Sequence, residues 1–267
     1  MKRQPAENPA IVSLKGVSKS FQNGTVALED FTLTIRPREF LSLLGPSGCG
    51  KSTVLRIVAG LADPSGGQVT WPQEPANRLE HDLSFVFQEP TLMPWATVYE
   101  NVRLPLRLKG VVERTARPRI LEALEMVGLS QFAQSYPREL SGGMKMRVSI
   151  ARALVTQPRV LLMDEPFAAL DEITRFKLNN DLLRLWQRFD LTIVFVTHSV
   201  FESVYLSERI AVMRARPGRI AADIAIDTHL QRNEAFRTSV EYAGLCGQVS
   251  AALHKAMGED ADAFEHI

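Results

Sequence analysis

Short apolar runs alternate along this chain with stretches in which apolar residues recur every three or four positions. The runs predict buried β-strands, and the periodic stretches predict amphipathic α-helices. Their alternation predicts an α/β fold with a parallel sheet, in which ligands bind beyond the carboxyl ends of the strands. The predicted parallel strands span residues 40–44, 83–87, 160–163, 191–196 and 210–213.

The rest of the pattern predicts how the chain is divided. Short strands at 11–17, 25–28 and 31–35 predict a small antiparallel sheet, and a further strand is expected at 69–71. From 89 to 156 the apolar spacing is helical, which predicts a helical insertion into the α/β domain. We expect a first core part at 1–88, a helical subdomain at 89–156, a second core part at 157–220 and a tail at 221–267 that packs on the core.

A glycine-rich loop, GPSGCGKST, joins the strand at 40–44 to an apolar-periodic stretch. It matches G-x-x-x-x-G-K-[ST], in which backbone N–H groups at the start of a helix surround phosphates. Lys51 can reach the β- and γ-phosphates, and the Ser52 hydroxyl can bind Mg²⁺. The predicted loop residues are Gly45, Pro46, Ser47, Gly48, Cys49, Gly50, Lys51, Ser52 and Thr53.

Polar groups follow four of the predicted parallel strands, at Gly45, Gln88, Asp164 and His198. The carboxyl ends of parallel strands meet at one edge of a sheet, so we expect one site there. Asp164 ends an apolar strand, from which an aspartate holds Mg²⁺ in P-loop proteins. Glu165 is expected to point the opposite way along the strand and to act on a water molecule.

A second glycine-rich segment, LSGGM at 140–144, precedes a helix-like run. A Ser-Gly-Gly step that opens a helix is an anion site for the same reason as the first loop, but it has no lysine of its own. Two interpretations stay open from the residues alone. The segment serves a phosphate that is held elsewhere, or Ser141 is an ordinary N-cap before a flexible turn.

Composition narrows the class of protein. The apolar fraction is 45% and the charged fraction 23%, which is ordinary for a soluble globular protein. The net charge of +1 gives no argument for a polyanionic partner. No stretch approaches the roughly 20 apolar residues of a membrane span, and the first ten residues lack the apolar core of a signal peptide. The distant Cys49 and Cys246 predict no disulfide and fit a reducing cytoplasm.

In order along residues 11–219, these motifs resemble those of the ATP-binding subunit of an ABC transporter. Besides the phosphate loop, the resemblance rests on the Q-loop glutamine Gln88, the signature LSGGM, the Walker B strand VLLMDEP at 160–166, the D-loop ALD at 169–171 and the switch histidine His198. Met144 departs from the family, which most often has Gln there. VFQEPTLMPWATVYENV at 86–102 and SGGMKMR at 141–147 are similar to import ATPases for nitrate, alkanesulfonates and taurine.

The resemblance implies a RecA-like P-loop NTPase core that hydrolyses ATP with Mg²⁺. Two copies would sandwich two ATP molecules head to tail, so that the signature of one copy meets the ATP of the other, which would explain an anion site without a lysine. The implied catalytic residues are Lys51, Gln88, Glu165 and His198, and the implied Mg²⁺ ligands are Ser52, Gln88 and Asp164. The implied nucleotide contacts outside the loop are Phe21, which would stack on adenine, Ser141, Gly142, Gly143 and Asp171.

The resemblance also implies partners. Separate permease subunits would complete the transporter, with an extracytoplasmic solute-binding protein, and would hold this chain at the cytoplasmic face of the plasma membrane. The segment 89–102 carries Leu92, Met93, Trp95, Val98 and Tyr99, more large apolar groups than a solvated loop needs. Met and aromatic residues suit an adaptable interface, so we expect the permease to contact this segment. No nucleic-acid partner is expected.

Two other functions share a phosphate loop. A small-molecule kinase would need a substrate pocket instead of a Ser-Gly-Gly site. An ATP-switched clamp for nucleic acid or ribosomes usually carries two such modules or a long coiled coil, and the sequence shows neither. We therefore expect an ATPase that drives solute import.

Overall fold

The computed structural model describes residues 10–72, 82–227 and 231–261. The chain divides into two compact units. Unit 1 consists of Met1–His81 and Thr192–Ile267, and unit 2 of Asp82–Leu191. In sequence, unit 2 is therefore an insertion between the two parts of unit 1.

The helices and strands alternate along much of the chain, as the apolar pattern predicts. In unit 1 they are β1 (Val12–Ser20), β2 (Val26–Ile35), β3 (Phe40–Leu44), α1 (Lys51–Val58) and β4 (Gly66–Thr70). In unit 2 they are β5 (Leu83–Val86), α2 (Val98–Leu108), α3 (Glu113–Met126), α4 (Gly142–Leu154), β6 (Val160–Asp164) and α5 (Glu172–Phe189). Unit 1 then resumes with β7 (Thr192–Thr197), α6 (Val200–Leu206), β8 (Arg209–Arg214), β9 (Arg219–Ala225), α7 (Glu234–Arg237) and α8 (Val240–Ala261).

A three-stranded antiparallel sheet in unit 1 has the order β2-β1-β4. The prediction of separate strands at 25–28 and 31–35 is wrong, because β2 runs unbroken through both. The alternation of apolar residues is interrupted at Asp30, whose φ of 48° lies beside an irregular register with β1. The predicted strand at 69–71 begins earlier, because Gly66 pairs with Ser18 of β1 and Gly67 continues the strand at an irregular register, instead of the two forming only a turn.

The parallel strands of unit 1 place the phosphate loop. β3 lies between β7 and β8 and pairs with both in parallel, while β9 pairs with β8 antiparallel. All residues of β3 and β7 are buried, as expected for parallel strands that are covered on both faces. Leu44 is in register with Thr197, so the residues that follow β3 and β7 leave the sheet at the same edge.

Unit 2 combines a pair of parallel strands, β5 and β6, with four helices. Between 89 and 156 the described chain is helical, with α2, α3, α4 and two short 3₁₀ turns. The buried amide of Asn101 organises the start of this part. Its Nδ2 donates to the carbonyls of Met93, Ala96 and Thr97, at 3.2, 3.2 and 3.0 Å, and its Oδ1 accepts from the Met93 N–H.

The C-terminal part of unit 1, residues 231–261, packs on α6 through aromatic side chains. The rings of Phe236 and Tyr242 meet edge to face with centroids 5.2 Å apart, and Tyr205 of α6 lies 6.3 Å from Phe236. Arg237 Cζ lies over the ring of Tyr205, 3.8 Å from its centroid. Aromatic pairs of this kind contribute about 0.5–1.5 kcal/mol beyond burial. Among the helices of the described residues, none has the length and apolar character of a membrane span.

Candidate functional site

The glycine-rich loop runs from the end of β3 to the start of α1, as predicted from the sequence. Gly48 and Gly50 have φ values of 78° and 92°, a backbone region that suits glycine. Gly50 is the N-cap of α1 and contributes no capping side chain. The first N–H groups of a helix need acceptors, and a helix N-terminus attracts negative charge. This end of α1 therefore fits a phosphate group.

Lys51 is the first residue of α1 and is buried, with 5% of its surface exposed. Its Nζ donates to the carbonyl oxygens of Gly45 and Pro46, at 2.8 and 2.9 Å. The ammonium group is thus folded over its own loop and held by neutral acceptors. Phosphate oxygens are stronger acceptors for such a cation, because a hydrogen bond between two charged groups is roughly twice as strong as a neutral one.

The turn between β8 and β9 lies directly against the phosphate loop. Gly218 donates its N–H to the carbonyl of Ala27 at 3.0 Å, and its own carbonyl accepts from the N–H of Glu29. A Cβ on Gly218 would lie only 2.3 Å from the carbonyl oxygen of Cys49 in the loop. Cys49 is fully buried, and burial raises the pKa of its thiol. Its side chain therefore belongs to the packing of the loop.

His198 directly follows β7, at the same edge of the sheet as Gly45. Its side chain is exposed, whereas Thr197 before it is buried. The predicted pairing of these two strand ends at one edge therefore holds within unit 1.

Phe21 follows β1 in a turn, where its carbonyl accepts from the N–H of Gly24 at 3.0 Å. Its ring is 45% exposed, and Lys19 Nζ lies 5.6 Å from the ring centroid. The exposed ring face suits stacking against a flat base.

In unit 2, Gln88 and Asp164 follow neighbouring parallel strands. Val86 is in register with Met163, so the ends of β5 and β6 lie side by side. Asp164 is the last residue of β6 and is buried, while Gln88 is exposed beyond Phe87. Glu165 lies outside the strand with a φ of 45°, so the expectation that strand alternation orients it is wrong. The turn, and not the pleat, sets its direction.

The Ser-Gly-Gly step opens α4 with Ser141 as the N-cap, and its Oγ accepts from the N–H of Met144 at 3.3 Å. Ser141 and Gly142 are exposed. Gly143 is buried, and a Cβ there would lie 2.6 Å from Cγ2 of Thr174 in α5. The capping interpretation is therefore correct as local structure, and it leaves the anion interpretation as a prediction.

Asp171 is the N-cap of α5, and its Oδ1 accepts from the N–H of Thr174 at 2.9 Å. A hydrogen bond from the Thr174 hydroxyl, and after it this bond from the Thr174 N–H, lower the pKa of the exposed carboxyl group. The structure gives Asp171 a local role, and its predicted contact with nucleotide stays a prediction.

The segment 89–102 divides into buried and exposed side chains. Val98 and Val102 are in the core of unit 2, whereas Trp95 is 77% exposed. A cleft of about 350 Å³ lies beside the residues that follow β5. Among the residues that line it are Phe85, Phe87, Thr91, Leu104, Leu108 and Arg152.

Two residues near the predicted site could not be identified from the sequence alone. Glu202 accepts a hydrogen bond from Thr197 beside His198, and its signal was the pattern Ser-x-x-Glu at 199–202, typical of a helix N-terminus. Arg152 of α4 donates to the carbonyls of Pro90 and Thr91, at 2.8 and 2.9 Å, three residues or fewer beyond Gln88. A charged residue within the apolar run of 150–154 was its only signal.

Comparison with known proteins identifies the family of this chain. The family model described as ABC transporter matches residues 28–168. An uncharacterized ABC transporter ATP-binding protein of Methanocaldococcus jannaschii is 46% identical over 234 residues, with 86% of each chain covered. The aliphatic sulfonates import ATP-binding protein of Bacillus anthracis is 44% identical over 226 residues, which cover 84% of this chain and 89% of the relative.

Solved structures agree. CbiO1 of Clostridium perfringens, part of the ABC transporter complex CbiONQ, superimposes with a TM-score of 0.74 at 28% identity, over 81% of this chain and 89% of that one. A dimeric ATP-binding cassette in a post-hydrolysis state with ADP and phosphate has a TM-score of 0.71 at 36% identity, over 81% of this chain and 99% of that one. The predicted P-loop NTPase fold is thereby confirmed, and the chain belongs to the ABC transporter family as an ATP-binding, ATP-hydrolysing subunit.

Proposed function

We propose that this chain drives the import of a small solute of the nitrate, sulfonate or taurine kind. The observation that carries this proposal is the 44% identity, over 84% of the chain, to an import ATP-binding protein for aliphatic sulfonates. Hydrolysis by this subunit would supply the free energy for uptake through permease subunits at the cytoplasmic face of the plasma membrane. An extracytoplasmic binding protein would deliver the solute.

In unit 1, the loop and Lys51 bind the phosphates of ATP. The start of α1, which has no side-chain cap, supports this role, because its N–H groups can donate hydrogen bonds to the oxygens of an anion. Lys51 exchanges the carbonyl oxygens of Gly45 and Pro46 for the β- and γ-phosphate oxygens. His198 contacts the γ-phosphate through its exposed ring, and Phe21 stacks on adenine.

In unit 2, Asp164, Glu165 and Gln88 carry the chemistry. Mg²⁺ prefers oxygen donors, so the Asp164 carboxylate and the Gln88 amide of this unit are suited to bind the ion. When bound, Mg²⁺ neutralises charge on the phosphate oxygens. Glu165 orients the attacking water and takes its proton. General-base catalysis of this kind contributes roughly 10²–10⁴-fold in rate.

A second copy of the chain completes the arrangement. Ser141, Gly142 and Gly143 of one copy would meet the ATP that is held by the other, and Asp171 would lie at the same interface. The exposed hydroxyl of Ser141 and the start of α4 are suitable for a phosphate that is already bound to a lysine elsewhere. The dimeric structure of a related cassette supports this proposal.

The permease would contact the segment 89–102 and the adjoining cleft. Trp95 and Leu108 are each 77% exposed, and Phe87 is 38% exposed, although solvent-facing side chains of this size are costly to leave in water. A short helix from a membrane subunit would cover them. Because Gln88 precedes this segment directly, a change at the nucleotide could reach the permease as a two-state switch.

The catalytic proposal is tested with Glu165→Gln, which keeps the shape of the side chain and removes the base. ATP should bind and stay, and the isolated subunit should dimerise in ATP with Mg²⁺. Sedimentation and phosphate release measure the two effects. Glu125→Gln, an exposed position on α3, is the matched control and should behave as wild type. Normal hydrolysis by a monomeric Glu165→Gln protein would remove Glu165 from the mechanism.

The interface proposal is tested with Trp95→Asp. The isolated subunit should fold and hydrolyse ATP, but the permease should no longer co-purify and transport should be lost. Leu61→Asp, at an apolar side chain of unit 1 that is 62% exposed, is the control for the added charge. Full transport by Trp95→Asp would show that the permease binds elsewhere.

A further inference from the structure

Three hydrogen bonds form a closed ring around the backbone of His198. The Thr197 Oγ1 donates to Oε2 of Glu202 at 2.6 Å, and the Ser199 N–H donates to the same Thr197 Oγ1 at 3.0 Å. The Glu202 N–H donates to Oγ of Ser199 at 3.2 Å. The residues on both sides of His198 are therefore tied to one carboxylate-bearing residue of α6.

The ring is shielded from water, whereas the histidine is not. Thr197 is 2% exposed and Glu202 is 8% exposed, while the side chain of His198 faces solvent. A hydrogen bond to a carboxylate is short and strong, and low exposure strengthens it further. The ring thus fixes the backbone on both sides of His198, whose side chain lies at the surface.

Residues in the C-terminal part of unit 1 donate hydrogen bonds to backbone carbonyls at both ends of α6. Tyr242 Oη donates to the carbonyl of Phe201 at 2.9 Å. The guanidinium of Arg232 donates to the carbonyls of Leu206 and Ser207, at 3.0 and 2.5 Å. These hydrogen bonds fix the position of α6. Glu202 therefore connects the residues beside His198 to a helix that is itself held in place.

We propose that Glu202 is a positioning residue for His198. It acts on hydrolysis by holding Thr197 and Ser199, and through them the direction in which the imidazole points. This inference rests on the proposed contact of His198 with the γ-phosphate. A misplacement of a reacting group by about 1 Å can cost roughly 10²-fold in rate. Loss of the three hydrogen bonds should therefore lower kcat.

Two pairs of variants distinguish the effect of the hydrogen-bonded ring from a general effect on packing. Thr197→Val removes the hydroxyl at nearly constant shape, and Thr197→Ser keeps a hydroxyl. Glu202→Ala removes the acceptor, and Glu202→Gln keeps an acceptor oxygen. We expect kcat for ATP hydrolysis to fall by about tenfold or more in the Val and Ala variants, with KM for ATP nearly unchanged, and to recover in the Ser and Gln variants.

The position of the histidine is read directly by NMR of the imidazole nitrogens in the full-length chain, which has 5 histidines. The His198 signal is the one that is absent from His198→Ala. It should shift or broaden in Thr197→Val and Glu202→Ala, and match wild type in Thr197→Ser. An unchanged signal, or a loss of turnover that follows only a loss of folded protein in thermal melts, overturns the inference.

The His198→Ala variant separates this inference from the proposed function. If it retains wild-type turnover, the proposed contact of His198 with the γ-phosphate is wrong, and so is the positioning role of Glu202. If it loses turnover while Thr197→Val and Glu202→Ala keep theirs, only the positioning role of Glu202 is wrong. In the double variant His198→Ala/Glu202→Ala, the two losses should not multiply, because both act on one group.

Discussion

The contact between Gly218 and the phosphate loop gives a sharp test of how the loop is supported. In Gly218→Ala, the new Cβ would lie 2.3 Å from the carbonyl oxygen of Cys49 and 2.7 Å from that of Ala27. Both neighbours are backbone atoms, so neither can turn away as a side chain would. Either the β8–β9 turn or the loop must move by several tenths of an ångström or more.

The size of the effect follows from what this movement breaks. Gly218 makes two backbone hydrogen bonds to β2, one to Ala27 and one from Glu29. Such bonds contribute about 0.5–1.5 kcal/mol each, and overpacking of a tight site costs about 1–3 kcal/mol. We therefore expect the free energy of unfolding to fall by roughly 2–6 kcal/mol. Because Cys49 belongs to the loop, the affinity for ATP should fall as well.

Urea denaturation followed by circular dichroism measures the first effect, and titration with ATP the second. Gly247→Ala is the matched control, since a Cβ there meets nothing within 4 Å and the position lies on α8. Replacing this helical glycine should stabilise the protein, by up to about 1 kcal/mol. A Gly218→Ala protein within about 0.5 kcal/mol of wild type, the usual effect of a harmless surface change, would refute the reasoning.

Three further outcomes are expected. Lys51→Ala should abolish phosphate release and weaken ATP binding, because the loop loses the ammonium group that now bonds Gly45 and Pro46; turnover near wild type would contradict this. Iodoacetamide at pH 8 should leave Cys49 unmodified in the native protein and modify it in urea, since burial raises the pKa of the thiol and keeps it protonated to higher pH. Arg152→Lys keeps the charge but loses the forked contact with the residues after Gln88, so the melting temperature and kcat should both fall, whereas unchanged values would show that this contact is dispensable.

The apolar pattern predicted the parallel strands because these are buried on both faces and read as unbroken runs. β3 and β7 are examples, since every residue in them is buried. The pattern failed where tertiary pairing overrode local signals. Asp30 interrupts the alternation in β2 without ending the strand, and Gly66 pairs with β1 although glycines are typical of turns.

The site residues with a fixed local motif could be predicted, whereas those that act through distant contacts could not. The phosphate loop carries its own geometry in nine consecutive residues. The bond from Thr197 to Glu202 and the contact of Gly218 with the loop depend on side chains and turns that the pattern does not specify. Glu165 shows the same limit, because its direction depends on a left-handed turn beyond β6.

The position of β3 between β7 and β8 has a consequence for synthesis on the ribosome. Both strands that pair with β3 lie beyond unit 2 in sequence, and the first of them begins at Thr192. Translation of the roughly 150 intervening residues takes about 7–30 s at about 5–20 residues per second. For that time the apolar FLSLL strand has emerged without either neighbour, and unpaired apolar strands are prone to aggregate. The yield of active protein therefore depends on how fast unit 2 is translated and on chaperones that cover β3 in the meantime.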